Sequence, residues 1–295
     1  MILLLGPAGD EVIAFLSLRL GLLREPYVLI DPRHTATGQV DVLWDPDGAE
    51  DASLRHGKRV VPLSEVKAIY LRELAIAADR SELIAALLAI TEHTDLLVLN
   101  RASGSATNGS KPFQARRIAQ QGFRTPRTLI TTDPDAARAF YEEHDGRIVH
   151  KSISWMRSIV VQTGETDLER LDLVRNCPTQ FQELVPGTDV RVHVVGDRVF
   201  ATEIDSTAMD YRYAALHNSP RTLRDLELPD EIAQRCIDLS RSLGMGLTGI
   251  DLRRDPDGAW WCFEVNPSPG FTFYQAQTGQ PIGHAIVDLL RTGHS

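Results

Sequence analysis

The sequence predicts a mixed α/β (α+β) architecture, and three observations carry that prediction. In the first hundred residues, strand-like apolar runs alternate with helix-periodic segments. Further along, paired apolar runs are joined by short turn sequences, the pattern of antiparallel hairpins. The composition, 43% hydrophobic and 24% charged over 295 residues, supplies ample material for a globular core and for more than one domain.

The elements follow in order. ILLLG (2–6) and PYVLIDP (26–32) read as strands around the helix 10–23. VKAIYLRE (66–73) and DLLVLN (95–100) read as strands flanking the helix 79–93. Together they predict a small Rossmann-like layer with a mainly parallel sheet. The first turn, GPAGDE, lacks the spaced glycine triplet of a dinucleotide site and reads as a tight strand-to-helix turn. RASGSATNGS (101–110) is a turn-rich linker. After it come the helix KPFQARRIAQQG, the connection into a strand FRTPRTLIT, the helix DPDAARAFYEEH and the strand pair RIVHKSI and SIVVQTG. A short helix (167–176) and the strand TQFQELV lead to two strands, DVRVHVVG and RVFATEID, turning at Gly196-Asp197. The helix 229–244 precedes a second hairpin that turns at Asp255-Pro256-Asp257-Gly258, and PIGHAIVDLLR forms the last helix.

Bulk properties exclude several classes. The formal charge of −9 argues against nucleic acid as the main partner. No apolar run approaches the roughly 20 residues of a membrane helix, and the start lacks the basic flank of a secretory signal. Cys177, Cys236 and Cys262 are odd in number and widely spaced, which predicts a reducing, cytoplasmic setting. Lysine is scarce: only Lys58, Lys67, Lys111 and Lys151 occur.

The second hairpin carries chemistry. In FEVNPSPG (263–270), period-two alternation puts Glu264 and Asn266 on one face, with Phe263 and Val265 on the other, toward the core. The turn makes Asp251 a near cross-strand neighbour of Glu264. Two carboxylates and a carboxamide form an oxygen-only ligand set, suited to Mg²⁺ (or Mn²⁺) with phosphates and water completing the shell. His193 alternates with Val192 and Val194 and reads as a structural histidine; no nucleophile elbow points to Ser-His-Asp hydrolysis.

The order Asp251…Glu264-Val265-Asn266 in such a hairpin resembles the metal-binding end of ATP-grasp enzymes. Lys111, Lys151 and the segment FQELVPGTDVRV occur upstream in the matching order. The resemblance implies a pre-ATP-grasp domain (1–100), a lid subdomain with its leading helix (101–186) and a metal-binding subdomain (187–295). It implies that Lys111 and Lys151 contact the phosphates of ATP, that Glu183, Leu184 and Val185 form the adenine hinge, and that Asp189 holds the ribose. Arg191 and Arg212 are the implied catalytic cations beside the transferring phosphate. The chain departs from the family in residues 152–158, where a glycine-rich flap is expected and SISWMRS stands instead. Within the fold, the pattern is most similar to ligases that add glutamate to a ribosomal protein and to ligases that cross-link ribosomally made peptides. The implied activity is an ATP-dependent carboxylate–amine ligase working through an acyl phosphate on an amino acid or peptide. A small-molecule kinase on the same fold and a non-catalytic ATP-binding regulator stand as alternatives, and a homodimer through the first domain is the assembly considered.

Overall fold

The computed structural model describes residues 1–31, 53–56, 59–72, 81–153, 160–206 and 221–293. The first unit runs β1 (Ile2–Leu5), α1 (Glu11–Leu22), β2 (Tyr27–Ile30), β3 (Ser53–His56), β4 (Arg59–Pro62), β5 (Ala68–Leu71), α2 (Ser81–His93) and β6 (Leu97–Leu99). Strands β2, β1, β5 and β6 form a parallel sheet in that order, as the alternation predicts. A parallel sheet is covered on both faces. Ile2 and Leu4 accordingly enter one buried cluster with helix α1, whereas Leu3 and Leu5 enter another with Leu54, Val61 and Ile90. Helix α1 starts where Asp10 accepts hydrogen bonds from the backbone N–H groups of Val12 and Ile13, a side-chain N-cap.

The linker is more ordered than its composition suggests. It folds into the short helix α3 (Ala102–Ser105) and a following 3₁₀ turn before α4 (Lys111–Gln120) begins. Asn100 anchors it: the buried carboxamide donates to the carbonyls of Leu247 and Pro267 and accepts from the N–H groups of Gly246 and Leu247.

Next come β7 (Thr128–Thr131), α5 (Pro134–Glu143), β8 (Ile148–Ser152), β9 (Val161–Gln162), α6 (Glu165–Leu168) and β10 (Thr179–Glu183). They give an antiparallel sheet in the order β7-β10-β8-β9. The strand expected over 158–164 is only two residues long, and the predicted helix near 167–176 divides into α6 and a 3₁₀ segment. Of the atypical flap 152–158, residues 154–158 lie outside the described residues.

The last segment contains β11 (Thr188–Val195), β12 (Arg198–Ser206), β13 (Arg221–Leu226), α7 (Asp230–Ser242), β14 (Leu247–Arg254), β15 (Trp260–Asn266), α8 (Thr272–Thr278) and α9 (Ile282–Thr292). Both predicted hairpins are present, within a five-stranded sheet ordered β13-β12-β11-β14-β15. Val190, Val192 and Val194 pack one face of this sheet against Ile232, Cys236 and Leu239 of α7. Helix α9 turns back to the first unit, burying Ile282, Ala285, Ile286 and Leu290 against Ile2, Leu4 and Ile13.

Candidate active site

Strand pairing assembles the site. Asp251 and Glu264 are direct cross-strand partners, and Asn266 pairs with Gly249 two positions further along. A bulge between Asp251 and Leu252 then shifts the register, so that Leu252 faces Cys262 and Phe263 is the extra residue. This corrects the simple alternation. Val265 is in the core as expected, but Cys262 takes the other core position, while half-buried Phe263 lines a cavity under the guanidinium of Arg253. A two-residue period cannot anticipate an inserted residue.

Charges alternate across the neighbouring pair β11–β14. Asp189 faces Arg253 and Arg191 faces Asp251 in register. The side chains follow the backbone: Arg191 donates to Asp251 at 2.7 Å, and Arg253 binds Asp189 through Nε at 2.8 Å. Arg253 also donates to the carbonyl of Val185 at 2.7 Å, tying the segment after β10 to this sheet. The sequence holds the signal in two Asp-x-Arg triplets, 189–191 and 251–253, on antiparallel strands; Arg253 was nevertheless absent from the candidate residues. Arg191 is only 6% exposed and stacks over Tyr274, with its cationic centre 5.8 Å from the ring.

Lys111 opens α4 and its ammonium contacts Glu264 directly, with Asn108 Oδ1 at 2.8 Å as a second acceptor. One helical turn on, buried Gln114 donates to the carbonyl of Val265 and accepts from its N–H, capping the outer edge of β15. Lys151 sits on β8 directly opposite Gln180 of β10. Both lysines line one cavity of about 350 Å³, together with Thr128, Ile130, Gln180, Gln182 and Phe263. Gln180 and Gln182, which the strand alternation of QFQE places on one face, were missed by the sequence reading.

At the end of β10, the carboxylate of Glu183 accepts the backbone N–H of Arg127 at 2.8 Å. The backbone N–H of Glu183 itself points to Arg127, whereas that of Leu184 points the opposite way, to Arg147. Arg212 lies outside the described residues.

His193 is fully buried between Arg191 and Gly270. Its Nε2 meets the Gly270 carbonyl at 3.3 Å, and its ring packs edge-on against Tyr274. Burial, reinforced by the neighbouring Arg191 charge, pushes its pKa down to about 3, so it is neutral and structural. Burial pushes the Cys236 thiol up to about 12 and the Cys262 thiol well above its usual range, which removes both as nucleophiles.

Among the described residues no three His, Cys, Asp or Glu side chains gather to hold a metal. The donor set is two carboxylates and a carboxamide, oxygen only, which fits a hard divalent cation better than zinc or copper. The Oδ1 of Asn266 accepts the N–H of Ser268 at 2.9 Å, which orients the carboxamide and leaves the oxygen a second lone pair.

Residues 111–290 match the RimK-like ATP-grasp domain. The chain belongs to that family. A probable alpha-L-glutamate ligase from Haemophilus influenzae is 31% identical over 212 residues, covering 65% of this chain and 70% of that relative. Further probable alpha-L-glutamate ligases match over 59% to 66% of their own length. Among solved structures, the ATP-grasp ligase PsnB with a phosphomimetic variant of its minimal precursor, Mg and ADP superposes with a TM-score of 0.84. It is 25% identical, over 99% of this chain and 98% of that one. The macrocyclase MdnC from Microcystis aeruginosa, bound with precursor peptide MdnA, shares the fold at a TM-score of 0.83 and 22% identity, over 99% and 100% of the two chains. The described residues therefore share the fold of solved ATP-grasp ligases. No helix among the described residues is long and apolar enough to cross a membrane.

Proposed function

We propose that this RimK-like protein is an ATP-dependent carboxylate–amine ligase that acts on an amino acid or peptide, with Mg²⁺ held by Asp251, Glu264 and Asn266. One observation carries the reading: both lysines line a single cavity, and one of them touches Glu264 of the oxygen cluster. Phosphoryl transfer depends on positioning and on neutralising charge, and these groups supply both.

The nucleotide lies in the cavity between the β7–β10–β8 face and β15. In an extended strand, residues i and i+2 turn their backbone groups the same way. Backbone groups of Glu183 and Val185 would read the purine edge, while the N–H of Leu184 is occupied by the carbonyl of Arg147. Asp189, oriented by Arg253, takes the ribose. Lys111 and Lys151 hold the phosphates. Asp251, Glu264 and Asn266 would hold Mg²⁺, which when bound would supply neutralisation of the phosphate charge.

The substrate carboxylate oxygen attacks the γ-phosphorus, and the bond from that phosphorus to the ADP oxygen breaks. Arg191, lying against Asp251, faces the transferring group. The amine nitrogen then attacks the acyl carbon, phosphate departs with the electron pair, and the nitrogen loses a proton to give the amide. The relatives solved with precursor peptides support a peptide carrying the carboxylate.

The test is ADP release measured across a panel of amino acids and peptides. Glu264→Gln should lower turnover on the order of 100-fold or more, because it removes a charged donor from the cluster. A folded variant with wild-type turnover would overturn the metal assignment. Hydroxylamine separates ligase from kinase, since only an acyl phosphate yields a hydroxamate.

A further inference from the structure

The oxygen cluster ends in the Pro267–Gly270 turn, and a residue from a distant part of the chain grips that turn. Arg72, just past β5 of the first sheet, donates through Nη1 to the Ser268 carbonyl at 2.8 Å, to Ser268 Oγ at 2.9 Å and to the Pro269 carbonyl at 3.4 Å. Its Nε bonds both oxygens of Asp10, the N-cap of α1, at 3.2 and 3.1 Å. The guanidinium is thus a rigid plate between the start of α1 and the turn after β15. Gly6 makes the approach possible: a Cβ there would lie 2.7 Å from the Cβ of Arg72.

The turn matters because of what it holds. The N–H of Ser268 donates to Asn266 Oδ1. Only the oxygen end of a carboxamide accepts such a bond, so this contact fixes which end of Asn266 is which. Without it, the amide can rotate and present its NH₂ group, a donor, where a cation requires an acceptor.

We propose that Arg72 is a positioning residue: it fixes the Pro267–Gly270 turn and, through Ser268, keeps the oxygen of Asn266 facing the metal position. This rests on the ligase reading above and extends it, since the first sheet then sets the geometry of a site that it does not itself line. Lysine cannot replace Arg72, because one ammonium cannot serve Asp10 and two turn carbonyls in a planar fork.

The experiment uses the full chain and Mn²⁺ as probe, with metal affinity in the presence of ADP read by electron paramagnetic resonance and thermal melting run in parallel. Arg72→Lys and Arg72→Ala should each weaken Mn²⁺ binding about tenfold, the scale of a lost outer-shell partner. ADP binding without metal should be unchanged. In an Asn266→Ala background, Arg72→Lys should have almost no further effect on Mn²⁺, because the group it orients is gone. If Arg72→Ala does not fold, Arg72→Lys and Ser268→Gly carry the test. Unchanged Mn²⁺ affinity, or a loss that adds in full to that of Asn266→Ala, overturns the proposal. A wild-type chain that binds neither ADP nor Mn²⁺ overturns the ligase reading itself, a result distinguishable from either.

Discussion

Arg191 reaches Asp251 only because residue 249 has no side chain. A Cβ on Gly249 would lie 2.0 Å from Arg191 Nη2 and 2.5 Å from its Cζ, with Pro269 crowding from the other side. Gly249→Ala must therefore push the guanidinium out of its seat. The expected result is a kcat loss of about 10²-fold or more with a folded protein, as for a displaced transition-state donor. Steady-state kinetics beside a melting curve checks this, and an active Gly249→Ala enzyme would show that Arg191 is not needed where it lies. His193 gives a second test at this scale. Its pKa falls from the ordinary 6.5 to about 3 on folding, mainly through burial. The unfolded chain then binds more protons between those values, so stability is lost as pH falls through that window, at a slope of up to about 1.4 kcal/mol per pH unit. His193→Gln should flatten the pH dependence of the melting temperature between pH 6.5 and 4, measured against wild type.

Strand β15 shows how an element makes residues into a site, and how far its sequence could be read. It is the outer strand of its sheet, so its free edge needs cover. Arg124 pairs with the backbone of Trp260 and Cys262, and Gln114 pairs with both backbone groups of Val265. Gln114→Leu would leave a buried N–H and C=O without partners and cost about 2–4 kcal/mol, most of it local to the strand carrying Glu264 and Asn266. A lower urea midpoint together with a raised Mg²⁺ requirement is the expected pair of readings; a change in neither would remove Gln114 from the argument. The facing of Glu264 and Asn266 was legible because alternation is a local property, but the register set by the Asp-Pro-Asp-Gly turn alone would stand Phe263 opposite Asp251, and the bulge brings Glu264 there instead. Asp255 makes that turn rigid, accepting from the N–H groups of Asp257 and Ala259 and from the indole of Trp261; the indole bond is the main reason its carboxyl titrates low. The bulge at Phe263 was not legible, since nothing in FEVNP marks an inserted residue. Nor were Arg72 and Gln114, whose roles arise from partners up to 197 positions away that no spacing rule connects.

On the scale of the whole molecule, the core does not respect chain order. The first sheet needs cover on both faces, and helix α1 spans only part of the face that holds Ile2 and Leu4. The rest comes from Phe271 and from α9, whose Ile282, Ala285, Ile286 and Leu290 are fully buried there, nearly 290 residues along the chain from β1. Ile286→Ala should therefore cost about 2–5 kcal/mol, and the cost should appear in the first unit as well as in the last. Hydrogen exchange decides it: the amides of β1 and β5 should lose protection along with those of α9, with one cooperative transition on heating. A fragment of residues 1–100 should fail to melt cooperatively, because it leaves that face of its sheet open to water. Arg72 ties the same two regions together by hydrogen bonds that α9 and Phe271 join by apolar contact. Loosening the shared core should thus weaken metal affinity before the nucleotide cavity itself is disturbed. A fragment 1–100 that folds stably by itself, or an Ile286→Ala protein whose β1 amides keep full protection, would show instead that the two regions are energetically separate.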